Sequence, residues 1–314
     1  MSRNIDERTV PRAGRRVSVG IAAFNAEANI REILRAVSSQ RQEQVTVAEI
    51  IVHSDHSTDG TIAAARESAD PRLRIVDSPE QRGFAASAGS MLAMFTGDAL
   101  VLLNDDIRIQ DDRFIEKIAM PIFQGGADFA GANLEPLPPR TFVERASVSV
   151  FRVWERIRES LPQRDNVFTC DGAAMCLSAR FARSIKPPSD PAQMGNVDAF
   201  FYFTCLTAGY RYAHAVDAVA YYRSPASLGD YLSRSSRNDS QRVLLERQFG
   251  SVVAASFRVR PVLYWRSVAV EAFRNPLVAV FVFIAGFYIR FKAQSTARNA
   301  SATWEVLQSS KRLD

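Results

Sequence analysis

The chain has 314 residues, of which 47% are hydrophobic and 23% charged, with 15 Gly and 14 Pro. These values are near globular averages and exclude a collagen, a coiled coil or a largely disordered chain. The length allows one large domain or two small ones. The chain has three cysteines, Cys170, Cys176 and Cys205. They form no CxxC motif, and an odd number cannot all pair in disulfides. They favour reduced thiols in a cytosolic protein over a disulfide framework or a structural zinc site.

The positive charge lies at the two ends of the chain. Residues 1–16 carry five Arg against two acidic residues, and residues 255–314 carry nine Lys or Arg against three acidic residues. Because the formal net charge of the whole chain is +5, the segment between them is mildly acidic. A nucleic-acid reader carries its basic residues on the folded module, so we expect no nucleic-acid partner. Basic ends beside hydrophobic sequence suit an anionic membrane surface.

Predicted strands and helices alternate through the first third of the chain. Residues 1–15 are polar, lack the apolar region of a signal peptide and predict a disordered basic arm. Short apolar runs then predict strands at 17–23, 45–53, 73–77 and 99–103. Helical spacing or small residues predict helices at 26–40, 61–68 and 83–96. Short connections between alternating elements are typical of a parallel sheet with helices on both faces.

The second half is less regular. Prolines predict a loop around 136–139 and another at 186–194. The remaining patterns predict helices at 142–161, 199–209 and 228–248, and strands at 169–178 and 210–222. We therefore predict one α/β domain over 16–250, followed by a helical extension over 251–314.

Polar side chains follow three of the predicted strands, at Asn25, at Asp55 and at Asp105 with Asp106. In parallel sheets the ligand lies beyond the carboxyl ends of the strands, so we expect these residues at one edge. Adjacent carboxylates there suit Mg²⁺ or Mn²⁺, which prefer oxygen ligands and would bridge a diphosphate. The alternative is a solvated turn in which the aspartates cap a helix.

Three segments supply further candidates, and for the two aspartates among them helix capping is the alternative. Asp55 would accept an N–H from a nucleotide base, or belong to a helix-capping turn. The small residues from Gly83 onward would let a diphosphate or sugar approach the backbone at a helix start. Asp198 would act as a general base, or cap the helix that it opens.

Taken in order, these segments resemble one family, the inverting family 2 glycosyltransferases of the GT-A fold. The resemblance runs from about residue 16 to 248. It rests on six stretches: VSVGIAAFNAEANI (17–30), IIVHSDHSTDGT (50–61), RGFAASAG (82–89), LLNDDI (102–107), DGAAMCLSARF (171–181) and NVDAFFYFTCLTAGYRYAHAVDAVAYYR (196–223).

The resemblance implies roles for individual residues. Asp106 would bind Mg²⁺ or Mn²⁺ on the donor diphosphate, and Asp198 would deprotonate the acceptor hydroxyl, so that one displacement inverts the anomeric carbon. Arg234 and Arg237 lie near the family's Gln-x-x-Arg-Trp region and would hold the diphosphate. The residues implied to contact the nucleotide or its sugar are Ala23, Phe24, Asn25, Asp55, Gly83 and Asp105.

The expected activity is metal-dependent transfer of one sugar from a nucleotide sugar, with UDP as the expected nucleotide, in glycan or polysaccharide assembly. An alternative is a catalytically inactive protein of the same fold that binds sugar nucleotides or acts as a scaffold. This alternative is considered because three positions depart from the family pattern. Asn104 replaces an Asp, Val197 replaces a Glu and Tyr222 replaces a His. The aspartates assigned as general base, metal ligand and nucleotide contact are all retained, at Asp198, Asp106 and Asp55, which favours an active enzyme.

The extension predicts an amphipathic helix over 260–274, with polar residues at Arg260, Ser267, Glu271 and Arg274. The apolar run over 277–289 is roughly 20 Å long as a helix, against a bilayer core of about 30 Å. We therefore expect monotopic or re-entrant insertion, a peripheral location at the inner face of the cell membrane and a lipid-linked acceptor. The alternative is a helix that packs on the domain or in a homo-oligomer.

Overall fold

The computed structural model describes residues 15–161, 165–188 and 190–296, together with Lys311 and Leu313. Of the arm predicted over 1–15, residues 1–14 lie outside the described residues. The strands are β1 (Arg16–Ala23), β2 (Thr46–Ser54), β3 (Leu73–Asp77), β4 (Ala99–Asn104), β5 (Ile107–Arg108), β6 (Phe129–Pro136), β7 (Ala174–Ser178) and β8 (Tyr212–Tyr222).

Helices connect and follow these strands. They are α1 (Ile30–Ser38), α2 (Thr61–Arg66), α3 (Phe84–Met94), α4 (Phe114–Phe123), α5 (Phe142–Ser160), α6 (Ala179–Ser184), α7 (Val197–Thr207), α8 (Leu228–Phe249), α9 (Ser251–Ser256), α10 (Pro261–Arg274) and α11 (Pro276–Thr296). Each helix predicted in the first half forms within a few residues of its expected bounds.

The eight strands form one mixed sheet in the order β3-β2-β1-β4-β7-β6-β8-β5. The first four strands in this order are mutually parallel, whereas β7 runs antiparallel to both β4 and β6. β6 and β8 are parallel, and β5 closes the edge antiparallel to β8. The expected α/β class with a mainly parallel sheet is confirmed.

Two hydrophobic cores cover the two faces of the sheet, because neighbouring strand residues point to opposite sides. Ile21 and Leu103 belong to the core under α1, α2 and α4. Ala22 and Leu102 belong to the core under α3, α6 and α7. At Gly20 an added Cβ would lie 2.5 Å from the Met91 sulfur, so glycine lets α3 pack closely on β1.

The segment from 107 to 136 forms β5, α4 and β6 although its sequence carries little periodicity. β6 has small residues at its centre and ends in Pro136, so the loop expected around 136–139 begins one residue later. α4 contains Pro121, which weakens its helical pattern. The strand expected over 169–178 begins only at Ala174, because residues 167–169 form a 3₁₀ turn.

The C-terminal helices form as expected, but part of the side of α10 that was expected to face water packs against the protein instead. Its polar residues Ser267 and Glu271 are buried rather than exposed to water. Glu271 accepts a hydrogen bond from Ser149 of α5 at 3.0 Å and forms an ion pair with Arg156 of the same helix. α11 buries Val278, Ala285 and Ile289 in the same region. No helix in the described residues combines the length and hydropathy needed to cross a membrane.

Candidate functional site

Three loops meet at the carboxyl ends of β1, β2 and β4, and we call them the donor edge: residues 24–29, 55–60 and 104–106. Strand pairing aligns Ala23 with Ser54 and Ala22 with Asn104, so the loops emerge side by side. Asp55 N donates to the Ala23 carbonyl at 2.9 Å. The sequence prediction that Asn25, Asp55 and the Asp105–Asp106 pair share one edge is therefore confirmed by the sheet topology.

Hydrogen bonds join the first two loops, and each loop contains one residue with a strained backbone. Asn25 and His56 have φ of 47° and 60°, in the left-handed region that side chains other than glycine rarely adopt. Asn25 donates its N–H to the Ser57 hydroxyl at 3.1 Å, and its side-chain oxygen accepts from Thr58 N at 2.8 Å. Such strain persists only where the surroundings fix it, and it concentrates at functional sites.

Asp55 is fully buried and binds the start of α3. Its two carboxylate oxygens accept backbone N–H groups from Arg82 at 2.9 Å and Gly83 at 2.7 Å. Gly83 has φ of 87°, which only glycine adopts without strain, so this residue allows the tight entry into the helix. The geometry gives Asp55 a positioning role, and its contact with a nucleotide base stays a prediction.

Asp105 is also buried, with 1% of its surface exposed. Its carboxylate accepts from Phe24 N at 2.9 Å and from the Lys311 ammonium at 2.7 and 2.8 Å. Burial raises the pKa of Asp105, and the charge of Lys311 opposes that rise. The residue joins the ends of β1 and β4, and its predicted contact with a sugar stays a prediction.

Asp106 and Asn104 differ from Asp105 because they bring oxygen atoms that the described residues leave without hydrogen bonds. The Asn104 side-chain oxygen is buried and has no hydrogen-bond partner there. Asp106 is half-buried, and its carboxylate likewise makes no hydrogen bond within the described part of the chain. One carboxylate and one amide oxygen suit Mg²⁺ or Mn²⁺, for which a diphosphate and water would complete the ligands. The described residues contain no group of three His, Cys, Asp or Glu able to enclose a metal alone.

The second part of the site is the acceptor edge, which we define as residues 171–173 and the start of α7. Asp198 lies in the first turn of α7, where its oxygens accept from Gly172 N at 3.0 Å and Ala199 N at 2.7 Å. Burial, followed by the negative charge of Asp171, raises the pKa of Asp198 to about 7. A carboxylate with this pKa can take up a proton near neutral pH, as a general base must.

Of the two arginines expected to hold a diphosphate, only Arg234 has a described side chain. Its guanidinium lies 5.4 Å from the centre of the Tyr222 ring, at the end of β8. Tyr222 is aligned with Ile107, the residue that follows Asp106. Arg234 is therefore near the donor edge, whereas the side chain of Arg237 lies outside the described residues.

Sequence reasoning missed three residues of the site. Asp171 lies in the stretch that resembled the family, next to Gly172, but its effect on Asp198 requires the fold. Lys311 contacts Asp105 across 206 residues, and no sequence pattern signals that contact. Arg223 is buried at the end of β8 and donates to the Leu313 carbonyl at 3.3 Å.

Comparison with known families agrees with this geometry. A match to the family described as glycosyl transferase family 2 covers residues 18–181, just over half of the chain. The chain belongs to this family. The match includes the whole donor edge and the loop with Asp171, and it ends before α7.

Relatives and solved structures extend this similarity. The succinoglycan biosynthesis protein ExoO of Rhizobium meliloti is 27% identical over 118 residues, which is 38% of this chain and 31% of that protein. The chain spans about a third of the length of the curated relatives that it matches.

Two solved structures of glycosyltransferases share the fold. Glucosyl-3-phosphoglycerate synthase of Mycobacterium tuberculosis, in complex with Mg²⁺ and UDP, has a TM-score of 0.56 and 18% identity over 76% of this chain and 80% of that one. The mannosyltransferase PcManGT of Pyrobaculum calidifontis, in complex with GDP-Man and Mn²⁺, has a TM-score of 0.56 and 16% identity over 94% and 87%. At these identities the similarity establishes the GT-A fold.

Proposed function

We propose that this glycosyltransferase transfers one sugar, with inversion, from a nucleotide diphosphate donor to an acceptor hydroxyl. The observation that carries the proposal is a backbone link between the two edges. Asn104 N donates to the Ala173 carbonyl at 2.9 Å, and the adjacent Gly172 N donates to Asp198 at 3.0 Å. Because β4 and β7 pair in this way, the acidic end of the donor edge lies beside the carboxylate of Asp198.

In the proposed reaction, Asp198 accepts the proton of the acceptor hydroxyl. The acceptor oxygen attacks the anomeric carbon from the face opposite the nucleotide, the bond from that carbon to the phosphate oxygen breaks, and the nucleotide diphosphate leaves. One displacement inverts the anomeric centre and needs no covalent intermediate on the protein. Arg234 supports the departing negative charge, since a guanidinium pairs well with phosphate oxygens.

Asp106 and the side-chain oxygen of Asn104 are the residues that would hold a divalent cation. When bound, Mg²⁺ or Mn²⁺ neutralises charge on the leaving diphosphate. We take UDP as the first nucleotide to test, because the similar mycobacterial synthase binds it, and GDP as the second, because the similar archaeal enzyme binds GDP-mannose.

Calorimetric titration of UDP and GDP, each with and without Mn²⁺, tests the donor side. We expect Mn²⁺ to strengthen binding to the parent protein, and Asp106→Ala to lose that enhancement because the cation loses a carboxylate ligand. Asp112→Ala is the matched control, since Asp112 is also the second residue of an Asp–Asp pair but pairs with Arg41 beyond the other end of α1. Equal enhancement in the parent and Asp106→Ala would contradict this metal site.

Hydrolysis of UDP-sugars in the presence of Mn²⁺ separates an enzyme from an inactive scaffold. A panel of UDP-sugars is incubated with the parent protein, and released UDP is measured. We expect slow hydrolysis of at least one sugar, with water in place of the acceptor. Binding of UDP without release from any donor, even with candidate acceptors present, would favour the scaffold.

For the acceptor, we propose a lipid-linked glycan reached from an anionic membrane surface. We define the C-terminal apolar surface as the exposed large hydrophobic residues of α10 and α11: Val262, Trp265, Phe273, Leu277, Val280, Phe283, Ile284, Phe287 and Tyr288. Phe273 is 90% exposed and Phe283 75%. Extended apolar surfaces of this kind are typical of interaction sites.

Charge around this surface favours anionic lipid over a second copy of the chain. Four exposed arginines accompany it, at positions 258, 260, 266 and 274. The acidic residue of α10, Glu271, is buried against α5. Arginines beside apolar side chains complement anionic headgroups, whereas a symmetric dimer through this surface would bring like charges together.

Liposome flotation tests the membrane proposal on the full chain. We expect the parent to float with vesicles containing phosphatidylglycerol, and the double variant Phe283→Glu/Phe287→Glu to remain in solution. Leu206→Glu, on the exposed part of α7, is the control and should float. A parent that ignores vesicles and elutes as a dimer, which the double variant dissociates, would show that a second copy covers this surface.

A further inference from the structure

Two described residues near the C-terminus, Lys311 and Leu313, contact two loops of the donor edge and the residue that follows β8. Asn29, after β1, donates its side-chain amide to the Lys311 carbonyl. The Lys311 ammonium contacts both oxygens of Asp105, after β4, at 2.7 and 2.8 Å. Arg223, after β8, donates to the Leu313 carbonyl at 3.3 Å. Residues 311 and 313 therefore lie across the carboxyl ends of strands far apart in the sequence.

The groups that receive this segment are buried rather than superficial. Asp105 and Leu313 are 1% and 2% exposed. Arg223 is buried and paired with Glu144, which is itself buried. Removing a carboxylate and an ammonium from water is unfavourable unless they are paired with good geometry. Two contacts from the ammonium to the same carboxylate meet that requirement, which indicates a specific site for Lys311.

We propose that Lys311 is a donor-binding residue, whose ammonium, held by Asp105, pairs with the diphosphate of the nucleotide sugar. Its position carries this assignment, because its ammonium contacts Asp105, the residue next to Asp106, where the proposed metal-bound diphosphate approaches. Without Lys311, a nucleotide diphosphate would meet adjacent carboxylates at Asp105 and Asp106. With Lys311, one of the two is neutralised, and a cation stands beside the phosphates.

This inference rests on the proposed function, because it requires a nucleotide diphosphate at the donor edge. The same contacts would also allow a segment that blocks the site until the donor displaces it. The two roles predict opposite changes in nucleotide affinity when Lys311 is removed. A donor-binding Lys311 strengthens nucleotide affinity, so its removal weakens binding, whereas removal of a blocking residue strengthens binding.

Calorimetric titration of UDP with Mn²⁺ into the full-length parent and Lys311→Met separates these outcomes. We expect Lys311→Met to weaken binding roughly 10- to 100-fold, as for loss of a charge-assisted hydrogen bond, and Lys311→Arg to restore most of it. Lys117→Met is the matched control, because Lys117 also pairs with an aspartate, Asp111, but on α4. Unchanged or tighter binding by Lys311→Met overturns the inference.

Chemical labelling of the parent protein provides a second measurement that needs no variant. Lysine acetylation is followed by mass spectrometry with and without UDP and Mn²⁺. We expect UDP to slow acetylation of Lys311 and leave Lys117 unaffected, whereas faster labelling of Lys311 would show displacement and overturn the inference. If the parent binds neither UDP nor GDP, the proposed function falls and this inference falls with it. If the parent binds and Lys311 proves indifferent, this inference alone falls.

Discussion

The donor edge and the acceptor edge each depend on an aspartate, the buried Asp105 and the half-buried Asp198, but the surroundings of the two differ in charge. At the donor edge, Asp105 receives a backbone N–H from Phe24 and the ammonium of Lys311. At the acceptor edge, Asp198 receives two backbone N–H groups, and the nearby charge that acts on it is that of Asp171, another carboxylate. Burial raises the pKa of both carboxylates. The charge of Lys311 opposes the rise at Asp105, where the pKa is about 6, whereas the charge of Asp171 adds to the rise at Asp198, where the pKa of about 7 suits proton transfer.

The largest expected effect comes from Asp198→Asn, which keeps the shape at the acceptor edge and removes the base. We expect kcat to fall about 10²–10⁴-fold, the usual cost of losing a general base. UDP affinity should change little, because the donor edge is intact. Steady-state kinetics and calorimetric titration measure the two quantities.

The melting temperature provides the control for Asp198→Asn. The substitution removes a charge that is poorly solvated, which is stabilising. It also turns an amide NH₂ toward one of two backbone N–H donors, which is destabilising, so we expect the melting temperature to change little. Turnover within threefold of the parent would show that Asp198 only caps α7.

The next effect tests the donor edge through Asp55→Asn. One of the two N–H groups of Arg82 and Gly83 would then face an amide NH₂, and loss of a charge-assisted hydrogen bond costs about 1.5–3 kcal/mol. We expect that loss in the free energy of unfolding, measured with urea, together with weaker UDP binding and nearly unchanged kcat at saturating donor.

Asp77→Asn is the control for Asp55→Asn, because Asp77 ends the neighbouring strand β3 but is exposed. A large fall in kcat for Asp55→Asn, without a change in affinity or stability, would contradict the positioning role. The comparison of the two edges would then lose its basis, because both edges would act in catalysis.

A smaller effect is expected from pH in the parent protein. Asp198 must be deprotonated to act as a base, and its pKa is raised to about 7. The rate should therefore be constant above about pH 8 and fall to about one tenth at pH 6. Measurement of kcat from pH 5.5 to 9 tests this, with the fall below pH 7 absent in Asp198→Asn. A parent rate that stays constant down to pH 5.5 would exclude this pKa for the catalytic base.

Much of the donor edge could be predicted from the sequence because its signals are local. Asn25, Asp55 and Asp106 each follow an apolar strand, and the parallel sheet brings strand ends together. Gly83 stands out as the start of a small-residue helix. The order of these motifs along the chain is also sufficient to indicate the family.

The rest depended on tertiary contacts that leave no local pattern. β6 has small residues at its centre, and pairing with β7 and β8, not periodicity, determines the strand. The polar side of α10 was expected to face water. Instead, Ser149 and Arg156 on α5 bind Glu271, so tertiary contacts turn that side toward α5. The contact of Lys311 with Asp105 joins residues 206 positions apart.

The smallest expected effect comes from Asp171→Asn and tests the charge difference itself. Asp171 is exposed, and its negative charge raises the pKa of Asp198, so its removal should lower that pKa. The fall in rate on the acid side should therefore move to lower pH, and the ratio of kcat at pH 6 to kcat at pH 8 should rise. A partly exposed charge pair contributes roughly 0.2–1 kcal/mol, which for a pKa that starts at about 7 corresponds to a factor of roughly 1.3–3.5 in this ratio. Asp165→Asn is a matched control, because Asp165 binds His214 N rather than Asp198. An unchanged ratio in Asp171→Asn would mean that burial alone raises the pKa of Asp198, and that the acceptor edge does not depend on a second carboxylate.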